Sequence, residues 1–225
     1  MSHPQGYRYF HVVAMLVTAS LLIANALAVK LVSVAGFTLT AGIIVFPLAY
    51  VFGDVLTEVY GYRKARSIIW WGFVCLALMA FFFWAGTHLP PAPFWTDQEA
   101  FARLFGFVPR IALASLVAYL VGELLNASVL SRLKVRTEGR HFWLRALLST
   151  VVGQGADSLI FNLAAFLGLF PLRDVLYIAL SGWVVKSLYE AAVLPLTALC
   201  ASALKRAEGV DAFDRGVRYS PFARS

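Results

Sequence analysis

The stretch SIIWWGFVCLALMAFFFWAG, residues Ser67–Gly86, decides the fold class of this chain. Its 20 consecutive residues include no acidic or basic side chain. A helix of about 20 apolar residues spans the roughly 30 Å hydrocarbon core of a bilayer. The whole chain shares this character, since 60% of its residues are hydrophobic and only 14% are charged, against about 25% charged in soluble domains. We therefore predict an integral membrane protein.

Six apolar segments are spread along the 225 residues of the chain. The second is the least apolar, because it contains Pro47 and has a polar C-terminal half. No alternating strand pattern competes, and an open sheet would leave backbone groups unpaired in lipid. We therefore predict an all-α, polytopic membrane protein with six transmembrane helices. The predicted spans are Phe10–Val29, Phe37–Leu56, Ser67–Gly86, Val108–Leu130, Phe142–Phe170 and Val175–Leu204.

These spans leave room only for short loops. We predict a six-helix transmembrane domain over residues 1–205 and a polar, poorly ordered cytoplasmic tail over residues 206–225. The first span follows Arg8, as the apolar core of a signal peptide follows a basic residue. It is longer than a typical signal core and contains Asn25, so we interpret it as a membrane span.

The net charge of +7 comes from Lys and Arg clusters in alternate loops. The loops after the second and fourth spans and the tail are basic, whereas those after the third and fifth spans are balanced. By the positive-inside rule, both termini lie in the cytoplasm (N-in/C-in) of a bacterial inner membrane. The charge is a topology signal, and we expect no nucleic-acid partner. The clusters are Arg63, Lys64 and Arg66; Arg132, Lys134, Arg136, Arg140 and Arg145; and Lys205, Arg206, Arg215, Arg218 and Arg224.

Several spans contain ionisable or amide side chains. An ionisable group at the centre of a membrane helix costs about 2.5–3.5 kcal/mol on insertion scales, and such groups usually face a cavity or one another. Spacings of three and four residues place several of them on shared helical faces. The candidates for substrate binding are Asp54, Glu58, Gln154, Asp157, Asn162, Lys186, Tyr189 and Glu190.

Each of these groups also has a structural interpretation. The basic cluster at residues 63–66 lies near enough to neutralise Asp54 and Glu58. Lys186 and Glu190, four residues apart, can form a salt bridge within one helix. The polar stripe at residues 154–158 can hydrogen-bond a neighbouring helix, which the adjacent glycines allow to approach. Glu123 and Asn126, three residues apart, suit either packing or the lining of a site.

Taken together, the candidate residues suit a flat, hydrogen-bonding and cationic solute. One carboxylate can accept both the ring N–H and the exocyclic amine of a guanine-like edge, while an amide or amine donates to the carbonyl. Aromatic side chains near these groups offer stacking faces. The two cysteines form neither a disulfide framework nor a metal motif, and we expect no metal site and no cofactor.

The polar motifs resemble those of the queuosine precursor transporter family, also called the vitamin uptake transporter family. The resemblance covers most of the chain and is weakest at the N-terminus and in the 3–4 loop. The string DVLTEVYGY at Asp54–Tyr62 is its most specific part. The other matching positions are Gly42–Leu48, Ala65, Arg66, Ser149–Gln154, Asp157, Ser158, Phe161, Phe166–Gly168, Lys186, Glu190, Pro195, Asp211, Asp214, Pro221 and Phe222.

This resemblance implies a six-helix transporter that imports the deazaguanine bases preQ0 (7-cyano-7-deazaguanine) and preQ1 (7-aminomethyl-7-deazaguanine) for tRNA queuosine synthesis. It also implies a fold similar to the substrate-binding subunits of energy-coupling-factor transporters. The partners implied are a small deazapurine substrate and the lipid bilayer; oligomeric state stays open.

Two other functions compete with an importer. The chain could be a binding subunit that needs a separate energising partner. An intramembrane aspartyl protease using Asp54 and Asp157 is disfavoured, because Ala156 separates Gly155 from Asp157 and no other hydrolase motif is present. We expect no enzyme. No phosphate-binding loop is present either, so transport requires an ion gradient, a partner or consumption of the substrate. Proton coupling through Asp157 or Glu190 is a hypothesis.

Overall fold

The computed structural model describes residues 7–27, 30–34, 37–106 and 109–220. Within those ranges, seven α-helices and one short hairpin of two antiparallel strands follow one another. The elements are α1 Phe10–Leu27, β1 Leu31–Val34, β2 Phe37–Thr40, a 3-10 turn Ala41–Ile44, α2 Phe46–Tyr60, α3 Tyr62–His88, α4 Gln98–Phe105, α5 Pro109–Arg136, α6 Phe142–Phe166 and α7 Leu172–Glu208.

Four helices are long and apolar enough to cross a membrane. They are α1, α3, α5 from Leu113 onward, and α7. The protein is therefore a mainly helical, multi-pass membrane protein, as its composition indicates. Two elements differ from the all-α prediction with six spans: α4 lies in the 3–4 loop, and a hairpin separates α1 from α2.

The predicted second span, Phe37–Leu56, is wrong at both ends. Its first four residues form β2, whose threonines alternate with apolar residues as in a strand, and pair with β1 from Leu31↔Thr40 to Val34↔Phe37. The helix begins at Phe46 and continues to Tyr60. Pro47 lies in its first turn, where a missing backbone N–H leaves no hydrogen bond unmade.

Gly61 makes the sharp corner between α2 and α3. Its φ of +82° is favourable only for glycine, and an added Cβ would lie 2.9 Å from Asp214 Oδ1. The Asp214 carboxylate accepts a hydrogen bond of 2.7 Å from the Tyr62 backbone N–H, which satisfies a free donor at the start of α3. The corner is therefore held by a residue of the C-terminal tail.

Residues 206–220 of the predicted tail pack against the helix ends, where poor order was expected; residues 221–225 lie outside the described part of the chain. The Ala212 N–H donates to the Val59 carbonyl at 3.1 Å, and Lys134 on α5 forms an ion pair with Asp211. The start of α1 reaches the same place, because the Tyr9 N–H donates to Glu208 at 2.6 Å. Helix α7 itself runs across the predicted domain boundary at residue 205. Both ends of the described chain therefore meet; we call this the basic end, comprising Gly61, residues 137–145 and residues 205–220.

Helices α5 and α6 approach each other closely through two glycines. A Cβ on Gly122 would lie 3.1 Å from the Gly153 carbonyl, and one on Gly153 would lie 2.8 Å from the Gly122 carbonyl. Small residues permit such contact between spanning helices. Asn126 lies one turn from Gly122, and its Cβ is 2.8 Å from the position that a Cβ on Gly153 would take. The close approach therefore brings polar residues of both helices together.

Candidate functional site

Three carboxyl groups from three helices meet inside the bundle. Asp54 on α2 and Glu190 on α7 are 1% and 0% exposed, and their carboxyl groups lie within hydrogen-bonding reach of each other. Glu123 on α5 is half-buried and interacts electrostatically with both. We call Asp54, Glu123 and Glu190 the acid cluster. Asn126 donates to Asp54 Oδ1 at 2.9 Å.

Several buried acceptor atoms at the acid cluster lack a hydrogen-bond donor. Asp54 Oδ2 and both Glu190 oxygens receive no hydrogen bond from any donor group in the described part of the chain. The same holds for Asn126 Oδ1, on a residue that is 5% exposed. Gln154 on α6 is also 5% exposed with an unpartnered Oε1, but it has no described contact with the cluster. A buried polar atom without a partner costs about 1–3 kcal/mol. A site that retains four such acceptors is suited to a ligand rich in N–H donors.

Asp157 and Lys186 form an ion pair between α6 and α7. Their charged atoms are 2.7 Å apart, and each side chain is 22% exposed. The alternative interpretation, a salt bridge between Lys186 and Glu190 within α7, is not observed, because neither Glu190 oxygen accepts a hydrogen bond in the described part of the chain. Asp157 interacts electrostatically with Glu123, so this pair borders the acid cluster. Because its carboxylate is paired with a lysine, Asp157 is not poised with Asp54 as a protease dyad.

Tyr50 contributes an aromatic group to the site. It is 5% exposed and interacts electrostatically with Asp54, Glu123, Asp157 and Glu190. It lies four residues before Asp54, on the same face of α2. Glu123 and Asn126 are noted from the sequence without being selected as site residues. The signals available were their three-residue spacing within α5 and, for Tyr50, the four-residue spacing to Asp54.

Two predicted site residues, Asn162 and Tyr189, make no described contact with the acid cluster. Asn162 is buried, and its side chain donates to the Ser158 carbonyl one turn earlier at 2.8 Å. Tyr189 is half-buried and adjacent in sequence to Glu190.

Glu58 lies outside the acid cluster, in what we call the ion-pair centre: Glu58, Lys134, Arg145 and Lys205. Arg145 contacts its two carboxylate oxygens at 2.7 and 3.1 Å, as a fork. Lys205 lies 2.6 Å and Lys134 3.6 Å from Oε1. Both Glu58 and Arg145 are 1% exposed. The carboxylate is thus saturated with donors.

The cations that surround Glu58 are not those that its sequence neighbourhood indicates. Arg63 and Lys64 are exposed, and Arg66 donates to the Ser220 carbonyl at 2.8 Å. The prediction that this cluster neutralises Asp54 and Glu58 is therefore wrong. Partners from α5, α6 and α7 do so for Glu58 instead.

Asp211 joins the tail to the ion-pair centre. It accepts from Lys134 and from Lys205, the latter at 2.9 Å. Partial burial raises the pKa of this carboxyl, but the hydrogen bonds and charges of the two lysines outweigh burial, and the net pKa is lower than usual. Asp211 therefore remains ionised and paired at neutral pH.

A separate concavity of about 250 Å³ lies between the end of α3, the 3–4 loop and α4. Its lining contains one amide, from Gln98, and no ionisable side chain; the other residues are Gly86, Leu89, Pro90, Pro91, Ala92, Phe94, Trp95 and Phe101. Its lining residues come from α3, α4 and the loop between them, whereas the acid cluster lies on α2, α5 and α7. None of the predicted substrate-binding residues lines this concavity.

Comparison with known proteins agrees with a transport role. The model of the family described as "Putative vitamin uptake transporter" matches residues 40–200. This chain belongs to that family. The matched region includes the whole acid cluster, Glu58, Lys134 and Arg145, whereas Lys205 and Asp211 lie beyond it.

Three curated relatives of this family member are named as queuosine precursor transporters. The chain is 35% identical over 173 residues to the "Probable queuosine precursor transporter" of Bacillus subtilis, covering 76% of each chain. It is 32% identical to the "Queuosine precursor transporter" of Escherichia coli over 60% of this chain and 58% of that one. A relative from Haemophilus influenzae, named "Probable queuosine precursor transporter", is 30% identical over 130 residues, which make up 58% of this chain and 53% of that one. These relatives are transporters, which supports a role other than catalysis.

No solved structure matches the chain. The predicted likeness to substrate-binding subunits of energy-coupling-factor transporters therefore stays a prediction.

Proposed function

We propose that this protein imports queuosine precursors, the deazaguanine bases preQ0 and preQ1, through the acid cluster between α2, α5, α6 and α7. The single observation that carries the proposal is the set of buried acceptors without donors at Asp54, Asn126 and Glu190. The names of the curated relatives give the substrate class.

The chemistry of the bases fits these acceptors. A guanine-like base presents ring N–H groups and an exocyclic amine, which carboxylate and amide oxygens accept. Asp54 and Glu190 would take these donors, and Tyr50 would flank the ring. The Asp157–Lys186 pair at the border is half-buried, so Asp157 can exchange its lysine partner for a primary amine of the base.

Glu58 plays a different part in this proposal. Both of its carboxylate oxygens accept hydrogen bonds from basic side chains, Arg145 and Lys205, and Lys134 lies 3.6 Å from Oε1. We therefore assign it to joining α2, α5, α6 and α7 at the basic end, and not to contact with the base.

For the topology, we propose six spans with both termini in the cytoplasm of the bacterial inner membrane. The supporting observation is that the start of α1 contacts the end of α7 at the basic end, as an even number of crossings requires. The α2–α3 corner and the α5–α6 loop lie at the same end. Because α6 is less apolar than the four clear spans and α2 is short, each would cross as a helix packed among others.

The test is uptake in cells that cannot synthesise queuosine precursors and lack their own transporter. Supplied with low concentrations of preQ0 or preQ1, cells that produce this protein should restore queuosine in tRNA, measured by mass spectrometry of tRNA hydrolysates. Asp157→Asn should reduce initial uptake at least about tenfold, which corresponds to a loss of about 1.4 kcal/mol.

The matched control is Asp174→Asn, at an exposed carboxylate in the first turn of α7. It makes the same chemical change away from the site and should leave uptake as in the wild type. Failure of the wild-type protein to restore queuosine, with the protein present in the membrane, would contradict the function. Full uptake by Asp157→Asn would contradict the assigned site and leave the function standing.

A further inference from the structure

Asp54 and Glu190 are neighbouring buried carboxyl groups, and neither forms an ion pair with a basic side chain in the described part of the chain. Both side chains are essentially unexposed, and they lie within hydrogen-bonding reach. We propose that this pair binds one proton and that the protein carries that proton inward together with the base. The inference rests on the proposed import function and adds the ion that drives it.

A shared proton follows from the geometry of the pair. Two carboxylates in direct contact away from water repel strongly, so one of them is protonated unless a cation intervenes. Arg145 is held by Glu58 at 2.7 Å. Lys186 contacts Asp157 at 2.7 Å. The Asn126 amide donates to Oδ1 of Asp54, whereas Oδ2 and both Glu190 oxygens have no hydrogen-bond donor in the described part of the chain.

A buried atom near the pair also indicates a ligand. Asn126 is 5% exposed, its Nδ2 contacts Asp54, and its Oδ1 has no hydrogen-bond donor among the residues described. A proton requires only two adjacent carboxyl oxygens, which Asp54 and Glu190 supply.

The proton would also complete recognition of the base. A carboxylic acid beside a carboxylate presents one O–H donor and several acceptors. The lactam edge of a guanine-like base needs both, a donor for its carbonyl and an acceptor for its N–H. With both carboxyls ionised, the pair would offer acceptors only. Loading the base therefore requires the proton, which comes from the external water and leaves to the cytoplasm with the base.

Charged and titratable groups on four helices surround the pair. Tyr50 and Glu58 on α2, Glu123 on α5 and Arg145 on α6 interact electrostatically with Asp54 or Glu190. Asp157 on α6 and Lys186 on α7 interact with Glu123.

The experiment uses the full-length protein in liposomes and labelled preQ0, which has no ionisable amine. Potassium and valinomycin hold the membrane potential at zero, with about pH 6 outside and about pH 7.5 inside. One proton per base at this gradient permits accumulation up to about 30-fold, since each tenfold ratio corresponds to about 1.4 kcal/mol. Accumulation should disappear when the two pH values are equal, and a sodium gradient should not replace the pH gradient.

The decisive variant is Glu190→Gln, because an amide keeps a donor and an acceptor but cannot release a proton. It should still exchange labelled for unlabelled preQ0, at a reduced rate, and should not accumulate the base above its external concentration. Asp54→Asn serves as a second variant if Glu190→Gln is poorly folded, as judged by gel filtration and thermal unfolding. Glu99→Gln, at an exposed glutamate of α4, is the matched control and should accumulate as the wild type does.

The possible results distinguish a failure of proton coupling from a failure of preQ0 transport itself. Wild-type exchange without accumulation under the pH gradient would overturn the inference alone. Gradient-driven accumulation by Glu190→Gln and Asp54→Asn at the wild-type level would also overturn it. Absence of any preQ0 exchange by the wild-type protein would overturn the proposed function together with the inference.

Discussion

Asp54 and Glu58 lie one turn apart on the same face of α2, yet their surroundings are opposite. Both are 1% exposed. Glu58 is contacted by Arg145 and Lys205 at 2.6–2.7 Å and by Lys134 at 3.6 Å. Asp54 receives a single hydrogen bond, from a neutral amide. Two carboxylates that look equivalent in the sequence thus belong to two regions with different chemistry.

The difference separates a structural centre from a binding site. A carboxylate whose acceptors are all used has nothing left for a ligand, and its strong pairs hold helix ends together. A buried carboxyl oxygen that has no hydrogen-bond donor and lies beside other acceptors lowers the stability of the protein when no ligand is bound. Such a cost is typical of functional sites. Burial alone does not distinguish the two regions; the supply of donors does.

The strongest test of this contrast compares the stability of Glu58→Gln with that of Asp54→Asn. Removing one charge from a buried ion pair typically destabilises a protein by about 3–5 kcal/mol, because the partners keep uncompensated charges. Glu58→Gln leaves Arg145, Lys134 and Lys205 in this condition. Asp54→Asn removes a charge from among like charges, and we expect a change below about 1 kcal/mol. The free energy of unfolding in detergent micelles measures both. Equal losses in the two variants would contradict the distinction between the regions.

A smaller effect is expected for the Asp157–Lys186 pair, which is intermediate in exposure. Each side chain is 22% exposed, so water screens the pair more than it screens Glu58 and Arg145. Polar contacts between spanning helices couple by about 0.6 kcal/mol on average and about 1.7 at most. We expect a coupling in this range from a double-mutant cycle of Asp157→Asn and Lys186→Gln, measured on the free energy of unfolding. A coupling free energy of about 3 kcal/mol or more would contradict this expectation, since it would be as large as that expected for the buried ion pairs of Glu58.

The apolar pattern of the sequence predicted most of the helices, because the free energy of burying them in lipid depends on composition over about 20 residues. It missed the hairpin before α2. Residues 31–40 are apolar enough to continue a span, and two strands of four residues each leave too short an alternation to stand out. Helix α4 was missed for a related reason: it has eight residues and no apolar run.

The polar partners could not be predicted from spacing. A separation of four residues identifies neighbours within one helix, so Lys186 was paired with Glu190. Helix packing places Lys186 against Asp157 instead. In the same way, Glu58 takes its cations from residues 76, 87 and 147 positions away. Five of the eight candidate residues belong to the acid cluster, its border or the ion-pair centre, but which carboxylate is surrounded by cations depends on contacts between helices.

The smallest expected effect lies at the exposed edge of the ion-pair centre, where the Asp211 side chain is 44% exposed. The pKa of Asp211 is lower in the folded protein than its usual value of about 3.9. Its stabilising contribution is therefore fully present above that usual value and is lost as the pH falls through the lower folded-state pKa. Because solvent screens an exposed pair, we expect less than about 1 kcal/mol. Asp211→Asn should be less stable than the wild type by this amount from about pH 5 to 8. This difference in the free energy of unfolding should become smaller below about pH 4, where the wild-type carboxyl also becomes neutral. A gap that widened in acid would show that the lysines do not favour the ionised form, and the tail would then be bound by Asp214 and its backbone hydrogen bonds alone.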